Sequence, residues 1–95
     1  MPGELAHAQK RQADAAEQGF DWPDLDGVWA KLAEEIAELQ AAGNQAQRCE
    51  ELGDLMFMVV NLARHLDVEP AAALAAASDK FERRFAHVMA TETLP

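Results

Sequence analysis

The chain has 95 residues, the size of one small domain, and its apolar fraction of 49% is too high for a disordered acidic tail. Acidic residues outnumber basic ones 17 to 8, and the net charge of −9 argues against nucleic acid polymers and anionic membranes as main partners. A single cysteine, no signal peptide and no apolar stretch long enough to span a bilayer predict a cytoplasmic protein.

Alanine and leucine dominate the apolar residues, with 20 and 10 copies against five valines and one isoleucine, which favours helix over strand. We therefore predict an all-α fold, an antiparallel bundle of about four helices that forms a single domain over residues 1–95. The first helix is predicted over about 2–18 and ends before Gly19. In the connector that follows, Phe20 and Trp22 are too apolar to leave in water, and we expect both to pack onto the core.

The second helix is predicted from residue 24 or 26 to 42, the third over 44–66 and the fourth from Pro70 onward, with a frayed tail over 91–95. Residues 55–60 of the third helix are apolar on every side, which also fits a buried strand, but no turn residues bracket the run. A helix that is apolar all round must be covered all round. We therefore predict a homodimer with this helix at or near the interface. The fourth helix carries an apolar seam of Leu74, Ala77, Phe81, Phe85 and Val88.

Acidic residues recur at helical spacing on the second and third helices. Glu35 and Glu38 are three residues apart on one helix, and Glu51 and Asp54 are three residues apart on the other, so each pair shares a helix face. At about 100° per residue, both pairs lie on the same rotational side of their apolar stripes. Antiparallel packing of the two helices is therefore predicted to bring all four carboxylates to one side of the helix pair.

Carboxylates brought close together repel one another, and a divalent cation removes that cost. Oxygen ligands without a cysteine or histidine cluster favour Mg²⁺, with Mn²⁺ as the second candidate, over zinc. The alternative is that these acids are the solvated faces of two helices. The positions of Glu35 and Glu51 argue against this alternative, because both border the apolar stripes. Glu34 and Glu50 point further from the stripes and are either solvated or supporting residues.

Basic residues on the fourth helix offer the opposite charge. Lys80 and Arg84 are four residues apart and flank the aromatic seam, an arrangement that suits phosphate oxygens. A salt bridge to an acid of the same chain is the alternative. Asn61 lies two turns after Asp54, near the same flank, and is either a nucleotide contact or a polar group satisfied within the core.

Three ordered segments resemble the MazG family of nucleoside triphosphate pyrophosphohydrolases, over about residues 19–89. The pattern Glu34-Glu35-x-x-Glu38, followed after twelve residues by Glu51-Leu52-Gly53-Asp54, is similar to the family's Mg²⁺ motif. Residues 60–66 follow as in the family, and residues 80–85 look like its basic stretch on the last helix.

The resemblance implies an all-α fold whose core is completed by homodimerisation, sometimes with further association. It also implies hydrolysis of (deoxy)nucleoside triphosphates to a monophosphate and pyrophosphate, with house-cleaning of non-canonical nucleotides as a role. From their positions in the family motif, Glu35, Glu38, Glu51 and Asp54 would bind Mg²⁺. Lys80 and Arg84 would contact phosphates, and Glu34 would orient or deprotonate the attacking water. Two alternatives stay open: a non-catalytic helical dimer that binds a nucleotide or a protein, and a narrower dUTP/dCTP or phosphoribosyl-ATP pyrophosphohydrolase.

Overall fold

The computed structural model describes residues 3–91, and this part of the chain is all-helical. The helices are α1 (Glu4–Glu17), α2 (Leu25–Ala41), α3 (Gln45–His65) and α4 (Pro70–Thr91), with no strand between residues 3 and 91. The predicted all-α class and the four predicted helices are therefore confirmed. The frayed tail was predicted over 91–95; Thr91 is the last residue of α4, and residues 92–95 lie outside the described residues. None of the four helices is long and apolar enough to cross a membrane.

Local capping sets the ends of the helices. The side chain of Asp24 accepts a hydrogen bond from the Gly27 amide at 2.9 Å, and Asn44 accepts one from the Gln47 amide at 2.9 Å. These bonds satisfy amides that the first turns of α2 and α3 would otherwise leave without a partner. α1 gives way to a turn at Gly19, where φ is +87°, a backbone conformation that glycine adopts without strain.

The core lies between α2 and α3, which form the main helix pair. Val28 of α2 is fully buried, and Met58 and Val60 of α3 are the other buried apolar side chains of the described chain. α1 packs on α3, where the amide of Gln12 donates a hydrogen bond to the Phe57 carbonyl at 2.8 Å. The connector between α1 and α2 is fastened by Asp21, whose carboxylate binds the guanidinium of Arg64 at 2.6 and 3.0 Å.

The expected burial of the connector aromatics is wrong for Phe20, which is 82% exposed, while Trp22 is 36% exposed. The ion pair of Asp21, and not aromatic burial, holds the connector against α3. The Trp22 ring leans on Gly27, where an added Cβ would come within 3.3 Å of Trp22 Cε3. The missing side chain at Gly27 therefore leaves room for the indole beside the start of α2.

Within residues 3–91, the four helices do not close a bundle. α4 contacts α1 and α3 but not α2, and Pro70 is its one buried residue. The apolar seam predicted for α4 is therefore not packed inside the chain: Phe81 is 69% exposed and Phe85 52% exposed. One side of α3 is also uncovered, since Met56 and Val59 are about half exposed. This chain alone leaves two apolar helix faces in water.

Candidate functional site

Carboxylates from α2 and α3 meet on one side of the helix pair. Oxygen atoms of Glu35, Glu38 and Glu51 all lie within 4.8 Å of one another, and those of Glu50, Glu51 and Asp54 form a second such group. Glu51 belongs to both groups and joins them. We call these five residues the acidic cluster. Glu35 and Glu38 are three residues apart on α2, and Glu51 and Asp54 are three residues apart on α3. This helical spacing places both members of each pair on one face of their helix.

Two carboxylate oxygens in the acidic cluster are buried without a hydrogen-bond donor among the described residues. They are Oε2 of Glu35 and Oε2 of Glu51. Glu35 as a whole is only 5% exposed. Burial raises the pKa of Glu51 above its usual value, and the neighbouring carboxylates, Glu38 foremost, raise it further. Buried anionic oxygens without partners are costly, so this part of the molecule calls for a proton or a cation.

The chemistry of the donor set suits a hard divalent cation. The acidic cluster offers only oxygen ligands, contributed by two helices whose packing fixes their spacing, and Mg²⁺ and Mn²⁺ prefer oxygen. The orphaned oxygens of Glu35 and Glu51 lie where the two helices meet and would each gain a partner. The residues present therefore fit the ion that the sequence suggested.

Lys31 and Glu34 occupy the edge of the acidic cluster. The Lys31 ammonium lies 3.1 Å from Glu34 and 3.2 Å from Glu35, so it holds both carboxylates on α2. Glu34 is exposed and does not belong to either group of three. Glu50, which the sequence left undecided, belongs to the cluster instead. Its position four residues before Asp54 was the available signal, since residues at that spacing lie on one helix face.

The basic side chains of α4 lie together on one face of the helix. Lys80, Arg83, Arg84 and His87 line a shallow depression with Val88, so Arg83 joins the predicted pair of Lys80 and Arg84. No carboxylate among the described residues lies within 4.0 Å of these basic nitrogens. The predicted alternative, an intrachain salt bridge at Lys80 or Arg84, is therefore absent from residues 3–91. Because α4 does not touch α2, this chain does not pack its basic face against the α2 carboxylates.

Asn61 is only 5% exposed and lies two turns after Asp54 on α3. Its Oδ1 accepts a hydrogen bond from Arg64 Nη2 at 2.7 Å, and Arg64 is in turn held by Asp21. The Arg64 guanidinium holds the pKa of Asp21 well below its usual range. Asn61 and Arg64 both border a cavity of about 440 Å³ between α1, the connector and α3. The residue predicted as a nucleotide contact thus lies beside a pocket, two helical turns beyond Asp54 of the acidic cluster.

Comparison with known proteins matches residues 26–89 to a family model described as the MazG nucleotide pyrophosphohydrolase domain. The chain is 49% identical, over 89 aligned residues, to a nucleoside triphosphate pyrophosphohydrolase of Escherichia coli K12; the alignment covers 88% of this chain and 34% of that protein. It is 46% identical, over 81 residues, to the nucleoside triphosphate pyrophosphohydrolase/pyrophosphatase MazG of Thermotoga maritima, covering 85% of this chain and 32% of that protein. The chain therefore spans about a third of the length of these relatives.

Proposed function

The chain belongs to the MazG nucleotide pyrophosphohydrolase family, and we propose that it hydrolyses (deoxy)nucleoside triphosphates to a nucleoside monophosphate and pyrophosphate. The observation that carries the proposal is the acidic cluster, in which carboxylates from two helices converge and two buried oxygens have no partner. A triphosphate is strongly anionic and would be repelled by this surface unless cations lie between them. The excess of acids therefore fits a substrate that binds together with Mg²⁺.

Glu35, Glu38, Glu51 and Asp54 are the residues that would hold Mg²⁺. When bound there, the ion supplies positive charge for the triphosphate and makes water a stronger acid. Lys31 fixes the orientation of Glu35 through its 3.2 Å contact and so limits the freedom of one ligand. Glu34 stays exposed beside it and is the candidate to accept the proton of the attacking water.

In this reaction the water oxygen forms a bond to the α-phosphorus, and the bond from that phosphorus to the oxygen bridging to the β-phosphorus breaks. Pyrophosphate leaves with the bonding electrons. Lys80 and Arg84 are proposed to neutralise the negative charge that builds up on the departing pyrophosphate. Neither has an acidic partner among residues 3–91, so their charge is free for phosphate oxygens.

The functional unit is proposed to be a homodimer. A compact monomer of 10.4 kDa would expose about 5,400 Å², whereas this chain exposes 7244 Å², a surplus of about 1,800 Å². That surplus is within the area that each subunit contributes to an obligate homodimer interface. The uncovered faces of α3 and α4 supply the apolar side chains, among them Met56, Phe81 and Phe85. A second copy of the chain would cover them and complete the helical core.

The test is to incubate the chain and Mg²⁺ with a panel of ribo- and deoxyribonucleoside triphosphates and to separate the products by ion-exchange chromatography. We expect equal amounts of monophosphate and pyrophosphate. Diphosphate and orthophosphate as products would contradict the proposal. Binding by calorimetry without turnover would favour the non-catalytic nucleotide-binding dimer, and turnover confined to dUTP, dCTP or phosphoribosyl-ATP would favour the narrower enzyme.

Two variants and a control distinguish the loss of a carboxylate in the acidic cluster from the loss of a carboxylate elsewhere on the chain. Glu38→Gln and Asp54→Asn each remove one charge from the cluster and are expected to abolish turnover while leaving helix content unchanged. Glu17→Gln makes the same chemical change at the exposed end of α1 and should keep full activity. Full activity in either cluster variant would refute the assignment of metal ligands.

A further inference from the structure

The first helix is held only weakly by the rest of the chain. α1 precedes residue 26, where the family match begins, and it packs on α3 and α4 without touching α2. Its apolar residues are one leucine and five alanines, and its one buried residue is the polar Gln12. Because hydrophobic stabilisation grows with the apolar area that is buried, such a helix gains little from its packing.

Two polar contacts fasten α1 and the connector to α3. Gln12 Nε2 donates to the Phe57 carbonyl at 2.8 Å. The Asp21 carboxylate accepts from Arg64 at 2.6 and 3.0 Å and lies 3.1 Å from Nε2 of His65. All of these residues except His65 border the cavity of about 440 Å³, and atoms that face a cavity have no dispersion contacts across it. The two polar contacts therefore carry much of the attachment.

The closed arrangement leaves two buried polar atoms without partners. Oε1 of Gln12 and Nε of Arg64 are shielded from water, and neither has a hydrogen bond among residues 3–91. Such atoms are unfavourable to bury, and water would reach both if α1 left α3. Detached, α1 would be an isolated helix of 14 residues, a length that is marginal in water. Separation from α3 is therefore expected to unfold α1 and to hydrate both atoms.

We propose that α1 and the connector as far as Asp21 form a flap that opens by local unfolding while α2 and α3 stay folded, with the Asp21–Arg64 ion pair as its latch. The fixed end of the flap is Trp22, whose ring lies beside Gly27 in the first turn of α2. Opening removes one wall of the cavity and uncovers the face of α3 around Asn61. The flap is independent of the proposed hydrolysis and would stand if the chain proved inactive.

The alternative is that α1 unfolds only together with the core, either because its own contacts suffice or because a second chain covers it. The two cases differ in the surface that becomes exposed. Opening the flap exposes only the contact between α1 and its neighbours, whereas global unfolding also exposes the core between α2 and α3. Hydrogen exchange of the backbone amides distinguishes them, because the urea dependence of exchange follows the surface that each opening exposes.

The experiment is native-state hydrogen exchange, followed by NMR on the full chain at urea concentrations below the unfolding transition. Amides in the middle of α1 are expected to exchange at least about tenfold faster than the amide of the buried Val60, and with a weaker urea dependence. Asp21→Asn should raise exchange in α1 about tenfold, because it weakens a charged hydrogen bond. Asp14→Asn, which breaks an exposed pair with Lys10 on the same helix, is the matched control and should change that exchange less than about twofold.

Val28→Ala separates the flap from the core. Val28 is fully buried in α2, which α1 does not touch, so the substitution destabilises the closed and open forms equally relative to the unfolded chain. Exchange at Val60 should therefore rise, while exchange in α1 stays within about twofold of the wild type.

The flap is overturned if α1 and Val60 exchange at the same rate and with the same urea dependence in the wild type, a comparison that requires no variant to fold. It is also overturned if Val28→Ala raises both rates by the same factor. Exchange in α1 that is unchanged in Asp21→Asn, or that rises equally in Asp14→Asn, would overturn the assignment of the latch.

Discussion

The ion pair between Asp21 and Arg64 joins the connector to α3, and Asp21→Asn is the sharpest perturbation of it. The two oxygens of Asp21 accept from two Arg64 nitrogens at 2.6 and 3.0 Å, and the two side chains are 27% and 23% exposed. The stability contribution of this ion pair should therefore lie between that of an exposed pair, which is small, and that of a buried charged hydrogen bond, which is larger. We expect the substitution to lower the free energy of unfolding by about 1.5 kcal/mol. For a domain of this size, that is a fall in Tm of about 6 to 10 °C.

The stability that the Asp21–Arg64 pair contributes should decrease as the pH falls. Because the Arg64 guanidinium and other hydrogen bonds hold the pKa of Asp21 below its ordinary value of 3.8, the ionised form stabilises the folded chain. This contribution is fully present above the unfolded pKa, near pH 4, and is lost as the pH falls toward the lower folded pKa. The gap in Tm between wild type and Asp21→Asn should therefore be largest near neutral pH and should close in strong acid.

The assay is thermal unfolding followed by circular dichroism from pH 7 down to pH 2, at one protein concentration for all variants. Asp14→Asn is the matched control, because Asp14 pairs with Lys10 at 3.0 Å but both side chains are more than half exposed. Its Tm should stay close to that of the wild type. The reasoning is refuted if the two substitutions lower Tm equally at pH 7, or if the gap produced by Asp21→Asn does not narrow between pH 7 and pH 2.

Three further predictions concern the acidic cluster, the basic face and the dimer. Mg²⁺ should raise the Tm of the wild type in a concentration-dependent way that EDTA reverses, because the ion binds only the folded cluster. Glu38→Gln should raise the Tm of the ion-free protein by relieving repulsion and should remove most of the Mg²⁺ effect; an undiminished Mg²⁺ shift would contradict the ligand set. Lys80→Ala and Arg84→Ala should each lower kcat/KM by about 10- to 100-fold, with Arg48→Ala as the control, and unchanged kinetics would remove them from the site. Sedimentation should give a dimer at micromolar concentration and a smaller species for the double variant Phe81→Ser with Phe85→Ser; a folded wild-type monomer would refute the dimer.

Local interactions explain why the helices and the acidic pairs could be predicted from the sequence. The caps at Asp24 and Asn44 bind amides three residues away, so the sequence carries both partners within one turn. The spacing of Glu35 with Glu38, and of Glu51 with Asp54, is a helical period and requires only that the helices form. The convergence of the two pairs followed from the short connection between α2 and α3, which forces them to pack side by side.

Contacts between distant segments were decided only by the tertiary structure. Asp21 meets Arg64 across 43 residues and Gln12 meets Phe57 across 45, and no local period relates either pair. Glu50 and Glu34, which the sequence did not distinguish, differ in the structure, because only Glu50 lies within reach of Glu51 and Asp54. The seam of α4 was correctly identified as apolar, but its exposure reflects the limited surface that a chain of 95 residues can bury by itself. Periodicity along the chain therefore determined which faces are acidic or apolar, and three-dimensional packing determined what each face meets.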